Sequence, residues 1–334
     1  MPPKSSAGAS FPVPETASLF QLKPLPSKFS VYFRKAFSML DFHPITLNDK
    51  CAVDSVLLSS ENLSCEYAFG TIYIWKNVYQ SQISICDDIF TASYRTPEYN
   101  CYCCPQGKGD FEKAVAELSA DAKSKGNVLR INACSEQEVQ KIEALFPNRF
   151  AFLSDDSCFD YIYSAEALAN IAGRKFHDKR NHIAIFERTY PNWTFEEITQ
   201  ANIVECAEMN ERWLRLNESK DEVHLSAEHK ALNLALADYK ALGFYGGLIR
   251  AQGKVVAFSF GEKLNNTTFC THFEKAYADI NGAYPLINRE MARRLQADFQ
   301  FINREEDTGA PGLRRAKQSY RPAVWLKKFS AVEK

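Results

Sequence analysis

The apolar and polar positions of this 334-residue chain switch between helical and strand spacing in an order that repeats. From Phe42 onward the pattern predicts a helix over Asn48–Leu58, with Asn48 or Thr46 as its cap. Residues 82–104 alternate as two or three strands with a turn near Asp87 and Asp88. An amphipathic helix from Phe111 to Lys123 is closed by Gly126, and a short strand spans Val128–Asn132. Ser135 caps the next helix, with Glu138 three residues on completing a capping box. That helix stops before Pro147, and strands follow near 150–153 and 158–163.

The second half repeats this order more clearly. Trp193–Ile198 reads as a strand and Ala201–Leu216 as a helix; Ser226 caps another helix that runs to Leu242 and stops at Gly243. Gly247–Ala251 and Lys254–Lys263 form a hairpin around Gln252-Gly253, and Thr267–Ala276 is a third strand. After the loop Asp279-Ile280-Asn281-Gly282 come a helix over Tyr284–Ala297, a strand over Phe299–Glu305 and a helix over Pro311–Tyr320 with Pro311 in its first turn. Val324–Phe329 is the last strand.

Each half thus reads as helices, about three meander strands, helix, strand, helix, strand. The fold class is α/β (α+β), with two tandem domains, each a mixed and mostly antiparallel sheet flanked by helices. The expected layout is an extension over 1–39, a first domain over 40–163, a basic connector over 164–192 and a second domain over 193–334. Residues 1–28 hold six of the fourteen prolines and read as a disordered leader. Phe29, Phe33, Phe37 and Leu40 then share one helical face.

Composition narrows the class further. With 46% hydrophobic and 24% charged residues the chain has material for sizeable cores, and a net charge of −1 gives it no global field for nucleic acid or membrane. No apolar run approaches the ~18 residues of a membrane span. Ten cysteines are scattered except for Cys101, Cys103 and Cys104. Those three lack a second Cys/His pair at zinc-site spacing, so no metal is expected, and reduced thiols in a cytoplasmic protein are the reading. No Gly-x-Ser-x-Gly elbow is present, which leaves a serine hydrolase unsupported.

Two long motifs are more specific. Gly173-Arg-Lys-Phe-His-Asp-Lys-Arg-Asn-His182 and Asn303-Arg-Glu-Glu-Asp-Thr-Gly-Ala-Pro-Gly-Leu-Arg-Arg-Ala-Lys-Gln-Ser-Tyr320, with the start Leu40–Lys50, resemble the soluble relatives of the C-terminal domain of phosphatidylglycerol lysyltransferase. The resemblance covers about residues 40–330. It implies a tandem GNAT fold related to the Fem-type aminoacyltransferases, and transfer of an aminoacyl group from charged tRNA to an amine or hydroxyl. In such a fold the third meander strand and the strand after the next helix splay apart. The gap receives the donor carbonyl, and the following helix start receives a phosphate.

On the third strand, His272 and Glu274 share a face by the two-residue period. His272 is either a core histidine or a base; Glu274 suits an amine near the splay. Glu305, Glu306 and Asp307 at the end of the later strand suit a cationic acceptor or aminoacyl group, or else form a solvated turn before the next helix. Arg174, Lys175, His177, Lys179, Arg180 and His182, joined by Arg314, Arg315 and Lys317, read as a phosphate-binding surface or as a solvated connector. An aspartate, Asp279, stands in the loop where a GNAT would hold pyrophosphate.

These features predict a GNAT-type aminoacyl- or acyltransferase. Acyl-CoA-dependent N-acyltransfer and a non-catalytic RNA-binding module are the alternatives. No cofactor is firmly implied; a coenzyme A thioester or aminoacyl-tRNA stands as donor substrate. The partners are tRNA or another nucleotide-bearing donor and a small-molecule or lipid-headgroup acceptor.

Overall fold

The most continuous apolar run becomes the most protected strand. Every residue from Val255 to Glu262 is buried, as expected where helices cover both faces of a sheet. A computed structural model of the chain describes residues 40–58, 60–217 and 222–334. The expected helical face at Phe29, Phe33 and Phe37 lies outside them.

The first half contains β1 (His43–Pro44), α1 (Lys50–Leu57), α2 (Phe69–Ile74), α3 (Lys76–Tyr79), β2 (Gln82–Cys86), β3 (Ile89–Arg95), β4 (Asn100–Cys103) and β5 (Gln106–Gly107). It continues with α4 (Phe111–Ser124), β6 (Arg130–Cys134), α5 (Glu136–Leu145), β7 (Phe150–Ser154) and β8 (Asp160–Ser164). Then come α6 (Ala165–Asn170), α7 (His177–Thr189), β9 (Thr194–Glu197), α8 (Ile203–Asn217), α9 (Glu222–Ala237) and α10 (Tyr239–Leu242). The remainder is β10 (Tyr245–Ala251), β11 (Lys254–Lys263), β12 (Thr268–Ala276), α11 (Ala283–Leu295), β13 (Phe301–Asn303), α12 (Pro311–Gln318), β14 (Val324–Leu326) and β15 (Phe329–Glu333).

The fold is two sheets flanked by helices. The first sheet runs β1-β2-β3-β4-β6-β15-β7, with β5 on β3, and the second runs β14-β8-β13-β12-β11-β10-β9. Each half lends one strand to the other. β15 lies between β6 and β7, with Ala331 facing Ile131 on one side and Phe152 on the other. β8 lies between β13 and β14, with Ile162 facing Asn303 and Val324. A large core spans both halves around Phe69, Phe258 and Phe260, while a smaller one gathers Val115, Leu118, Ile131 and Ala331.

Several expectations need correction. Ser226 does not cap a helix, because α9 is already under way at Glu222 and a cap needs extended backbone. Gly243 does close α10, at φ 69°. The last strand splits into β14 and β15, because its two parts serve different sheets. Residues 164–192 hold two helices, α6 and α7, both packed on α11. Arg180 Nη1 ties them together by donating to the carbonyls of Ile171 (2.6 Å) and Gly173 (2.7 Å).

α7 is seated directly on the start of α11. Gly282 has φ 91°, and a Cβ there would lie 2.2 Å from the His182 carbonyl oxygen and 2.8 Å from Phe186 Cβ. His182 Nδ1 also meets Asn281 Oδ1 at 2.7 Å. Gly282→Ala combines a left-handed backbone with overpacking and is expected to cost about 2–4 kcal/mol of stability. Thermal or urea denaturation measures this, and an unchanged midpoint would mean α7 does not sit on α11.

Candidate active site

The site begins where two parallel strands separate. β12 pairs with β13 only at Thr268–Phe301, Phe269–Ile302 and Cys270–Asn303. Beyond that the later strand keeps to β8: Arg304 N–H donates to Tyr161 O (3.0 Å) and Tyr161 N–H to Glu305 O (3.2 Å). β12 meanwhile stays with β11. The resulting gap is the splay that the family resemblance implies.

A bulge at this point overturns the two-residue period. Phe260 faces Phe273 and Gly261 faces Thr271, so His272 is the extra residue. Gly261 permits the close approach, since a Cβ there would lie 1.8 Å from the Cys270 carbonyl oxygen. Cys270 opposes Glu262, while Glu274 opposes Ser259, three residues away on β11. His272 and Glu274 therefore lie on opposite faces of the sheet.

On the α11 face, Glu274 organises a polar cluster. Its Oε2 accepts from Asn288 Nδ2 at 3.0 Å and its Oε1 from Arg304 Nη2 at 2.8 Å. The Arg304 guanidinium lies 4.8 Å from the Tyr320 ring centre, and Lys179 Nζ lies 4.0 Å from the same ring. Among the described residues, two buried atoms here have no partner: Arg304 Nη1, a donor, and Asn288 Oδ1, an acceptor. Because Glu274 fixes both side chains, these atoms are held ready for a group that offers an acceptor and a donor together.

On the other face, buried His272 is clamped between carboxylates. Nδ1 lies 2.9 Å from Glu305 Oε1 and Nε2 lies 3.1 Å from Glu262 Oε1. Burial opposes its charge, but Cys270, Glu262 and Glu305 outweigh this and raise its pKa well above the ordinary value. An imidazolium donating from both nitrogens has no lone pair with which to take a proton. Cys270 Sγ lies 3.9 Å from Nδ1, and burial pushes its thiol up to about 12.

The neighbouring acids hold the chain in place. Buried Asp307 accepts from Tyr161 Oη (2.7 Å), Arg314 Nε (2.7 Å) and Gly309 N–H (2.9 Å). Arg314 reaches on to Asp156. Lys317 Nζ is buried and donates to the carbonyls of Arg304, Glu305 and Glu306. Glu306 faces Cys65 Sγ at 3.6 Å. Burial, together with Asp160, Glu305 and Glu66 and against the pull of Lys328, pushes its carboxyl up to about 7. Of the basic candidates, Arg174, Lys175, His177, His182 and Arg315 are exposed. The structure thus brings Glu274 together with Lys179 around Arg304, and His272 with Glu305, but it separates the two groups by the sheet. Asn288, Arg304 and Glu262 were not singled out from the sequence; only Arg304, inside a quoted motif, carried a signal.

Among the described residues, the first half shows no equivalent opening. β4 and β6 pair at Tyr102–Ile131 and Cys103–Asn132, and Tyr67 Oη sits 3.2 Å from Cys104 O and 3.3 Å from Ala133 O beyond them. The start of α4 is capped by the Asp110 carboxylate, which accepts from Lys113 N–H at 3.0 Å. A cleft of about 520 Å³ opens near the far end of β12, lined in part by Met209, Arg212, Lys254, Tyr277 and Asp279.

Comparison with known proteins agrees with this architecture. The family described as phosphatidylglycerol lysyltransferase, C-terminal, matches residues 59–332. A conserved protein of unknown function from Bacteroides thetaiotaomicron is 36% identical, with a TM-score of 0.86 over 89% of this chain and 100% of that one. The C-terminal domain of a putative lysylphosphatidylglycerol synthetase from Agrobacterium fabrum is 13% identical, with a TM-score of 0.62 over 86% of this chain and 92% of that one. L-PGS from Bacillus licheniformis is 13% identical, with a TM-score of 0.60 over 85% and 92%. No curated protein matches the chain. No helix among the described residues is long and apolar enough to cross a membrane.

Glu306 gives a pH prediction with a definite sign. Its folded pKa, about 7, exceeds the ordinary glutamate value of 4.5, so the folded state binds the extra proton between those values. Its contribution to stability is therefore favourable at low pH and is lost as pH rises through that window. Glu306→Gln should gain stability relative to the parent protein from about pH 4.5 to 7 and hold that gain above. Urea titrations across pH that show a constant difference would disprove it.

Proposed function

We propose that this chain, which belongs to the family of the phosphatidylglycerol lysyltransferase C-terminal domain, is an aminoacyltransferase whose donor is charged tRNA rather than coenzyme A. The observation that carries the reading is the Glu274 cluster, where Arg304 Nη1 and Asn288 Oδ1 stand unpartnered beside the splay. Acyl transfer needs a fixed donor where the carbonyl oxygen gains charge, and Arg304 Nη1 is such a donor in a low-dielectric site. Asn288 Oδ1 suits an ammonium or the attacking N–H. The acceptor amine or hydroxyl attacks the donor ester directly. Its new acyl bond forms as the acyl–oxygen bond to the tRNA ribose breaks, and the acceptor's proton passes through Glu274 to the departing hydroxyl.

The choice of donor rests on the two helix starts that would receive a phosphate. Asp110 occupies one with its own carboxylate, and α7 covers the other at Gly282. Both arrangements work against a coenzyme A pyrophosphate. Exposed Arg174, Lys175, His177 and Arg315 suit a polyphosphate backbone instead. The acceptor class includes a lipid headgroup, in keeping with the family's description, and small amines.

The test is release of radiolabelled amino acid from charged tRNA in the presence of phosphatidylglycerol vesicles or small amines. Glu274→Gln should lower kcat by roughly 10²–10³-fold while tRNA binding holds. Coenzyme A should leave the melting temperature unchanged. Full activity in Glu274→Gln, or acyl transfer from a coenzyme A thioester, would overturn the reading.

A further inference from the structure

We propose that Cys270, His272 and Glu305 form a zinc site on the face of the second sheet opposite Glu274. The three donor atoms already form a compact triangle. Sγ–Nδ1 is 3.9 Å, Sγ–Oε1 is 3.8 Å and Nδ1–Oε1 is 2.9 Å. Bonds of roughly 2.0–2.3 Å in tetrahedral zinc put its ligands about 3.3–3.6 Å apart. Each edge of the triangle is within a few tenths of an ångström of that range, about what side-chain adjustment supplies. The short edge opens once the proton between His272 and Glu305 has gone.

The chemistry of the donors selects the metal. One thiolate, one imidazole and one carboxylate suit zinc, whereas magnesium and calcium favour all-oxygen sites. Glu262 supplies a separate argument. Its Oε1 takes the Nε2–H of His272 at 3.1 Å, which leaves Nδ1 as the coordinating nitrogen. A carboxylate behind a ligating histidine is the usual outer partner of a zinc ligand. Glu262 is itself held by Gly70 N–H at 2.5 Å and lies 3.7 Å from Lys50 Nζ.

Binding displaces one proton from the Cys270 thiol and one from His272 Nδ1 as the doubly charged ion enters. A second trio, Cys65, Asp160 and Glu306, has a similar outline, but there Lys328 Nζ sits 2.8 Å from Asp160 Oδ1 and already fills the cation position. Zinc at the Cys270 trio would pin Glu305 to β12 across the splay and steady Arg304 beside it. Three protein ligands leave a fourth position for water.

The site is tested with the full chain, stripped by chelator and titrated with cobalt(II) and then zinc(II). Cobalt should bind in one equivalent and give sulfur-to-metal charge-transfer absorption that zinc displaces. Cys270→Ser should abolish that band, while Cys158→Ser, at an exposed thiol, should leave it intact. Absence of the band, or its persistence in Cys270→Ser, overturns the proposal. Should Cys270→Ser fail to fold, X-ray absorption on the zinc-loaded parent protein decides. One sulfur with nitrogen and oxygen neighbours supports the site; a shell without sulfur, or with several, rejects it. Metal binding is read without any transferase assay, so the outcome does not depend on the proposed activity.

Discussion

One buried ion pair holds the crossing of the two sheets. Lys328 Nζ and Asp160 Oδ1 lie 2.8 Å apart, and Asp160 is fully buried. Asp160 opens β8, which serves the second sheet; Lys328 directly precedes β15, which serves the first. At the surface such a pair would contribute little. Here Asp160 also accepts from Cys65 N–H and from Asn303 Nδ2, each at 2.8 Å, while Lys328 reaches Glu66 at 2.7 Å. Loss of Lys328 would strand the buried Asp160 carboxylate, at a cost of about 3–5 kcal/mol.

The same knot sets the geometry of the candidate site. Asn303, besides binding Asp160, donates to Leu63 O at 2.7 Å and accepts from Glu305 N–H at 2.6 Å. That bond turns the chain into the left-handed conformation of Glu305, φ 57°. Arg304 consequently goes to the Glu274 face and Glu305 to the His272 face. Lys317 gathers the carbonyls of the turn from below. Burial lowers its pKa, while Glu305 and Glu306 work in the other direction.

What the sequence disclosed was local. The Ser135–Glu138 capping box, the Gly243 stop and Pro311 at the start of α12 all depend on residues within a turn of each other, and all appear in the structure. The splay was legible too, through the motif around Asn303. The exchange of strands was not, because Asp160 and Lys328 are 168 residues apart and no local pattern encodes their meeting. The bulge at His272 escaped because a single glycine, Gly261, undoes a two-residue period that the neighbouring residues still display. Asn288 escaped because one polar residue on the covered face of an amphipathic helix looks like noise until its carboxylate partner is in view.

The strand exchange also fixes an order in time. β7 and β6 leave the ribosome long before β15, yet β15 is the strand that fills the slot between them. Until residue 333 has been made, Ile131 and Phe152 present unpaired edges. β8, for its part, waits for β13 and β14 before it has a neighbour on either side. The first sheet cannot close during synthesis of its own half. The growing chain must carry open, apolar strand edges until nearly all of it exists, the condition in which nascent proteins most need shielding from one another.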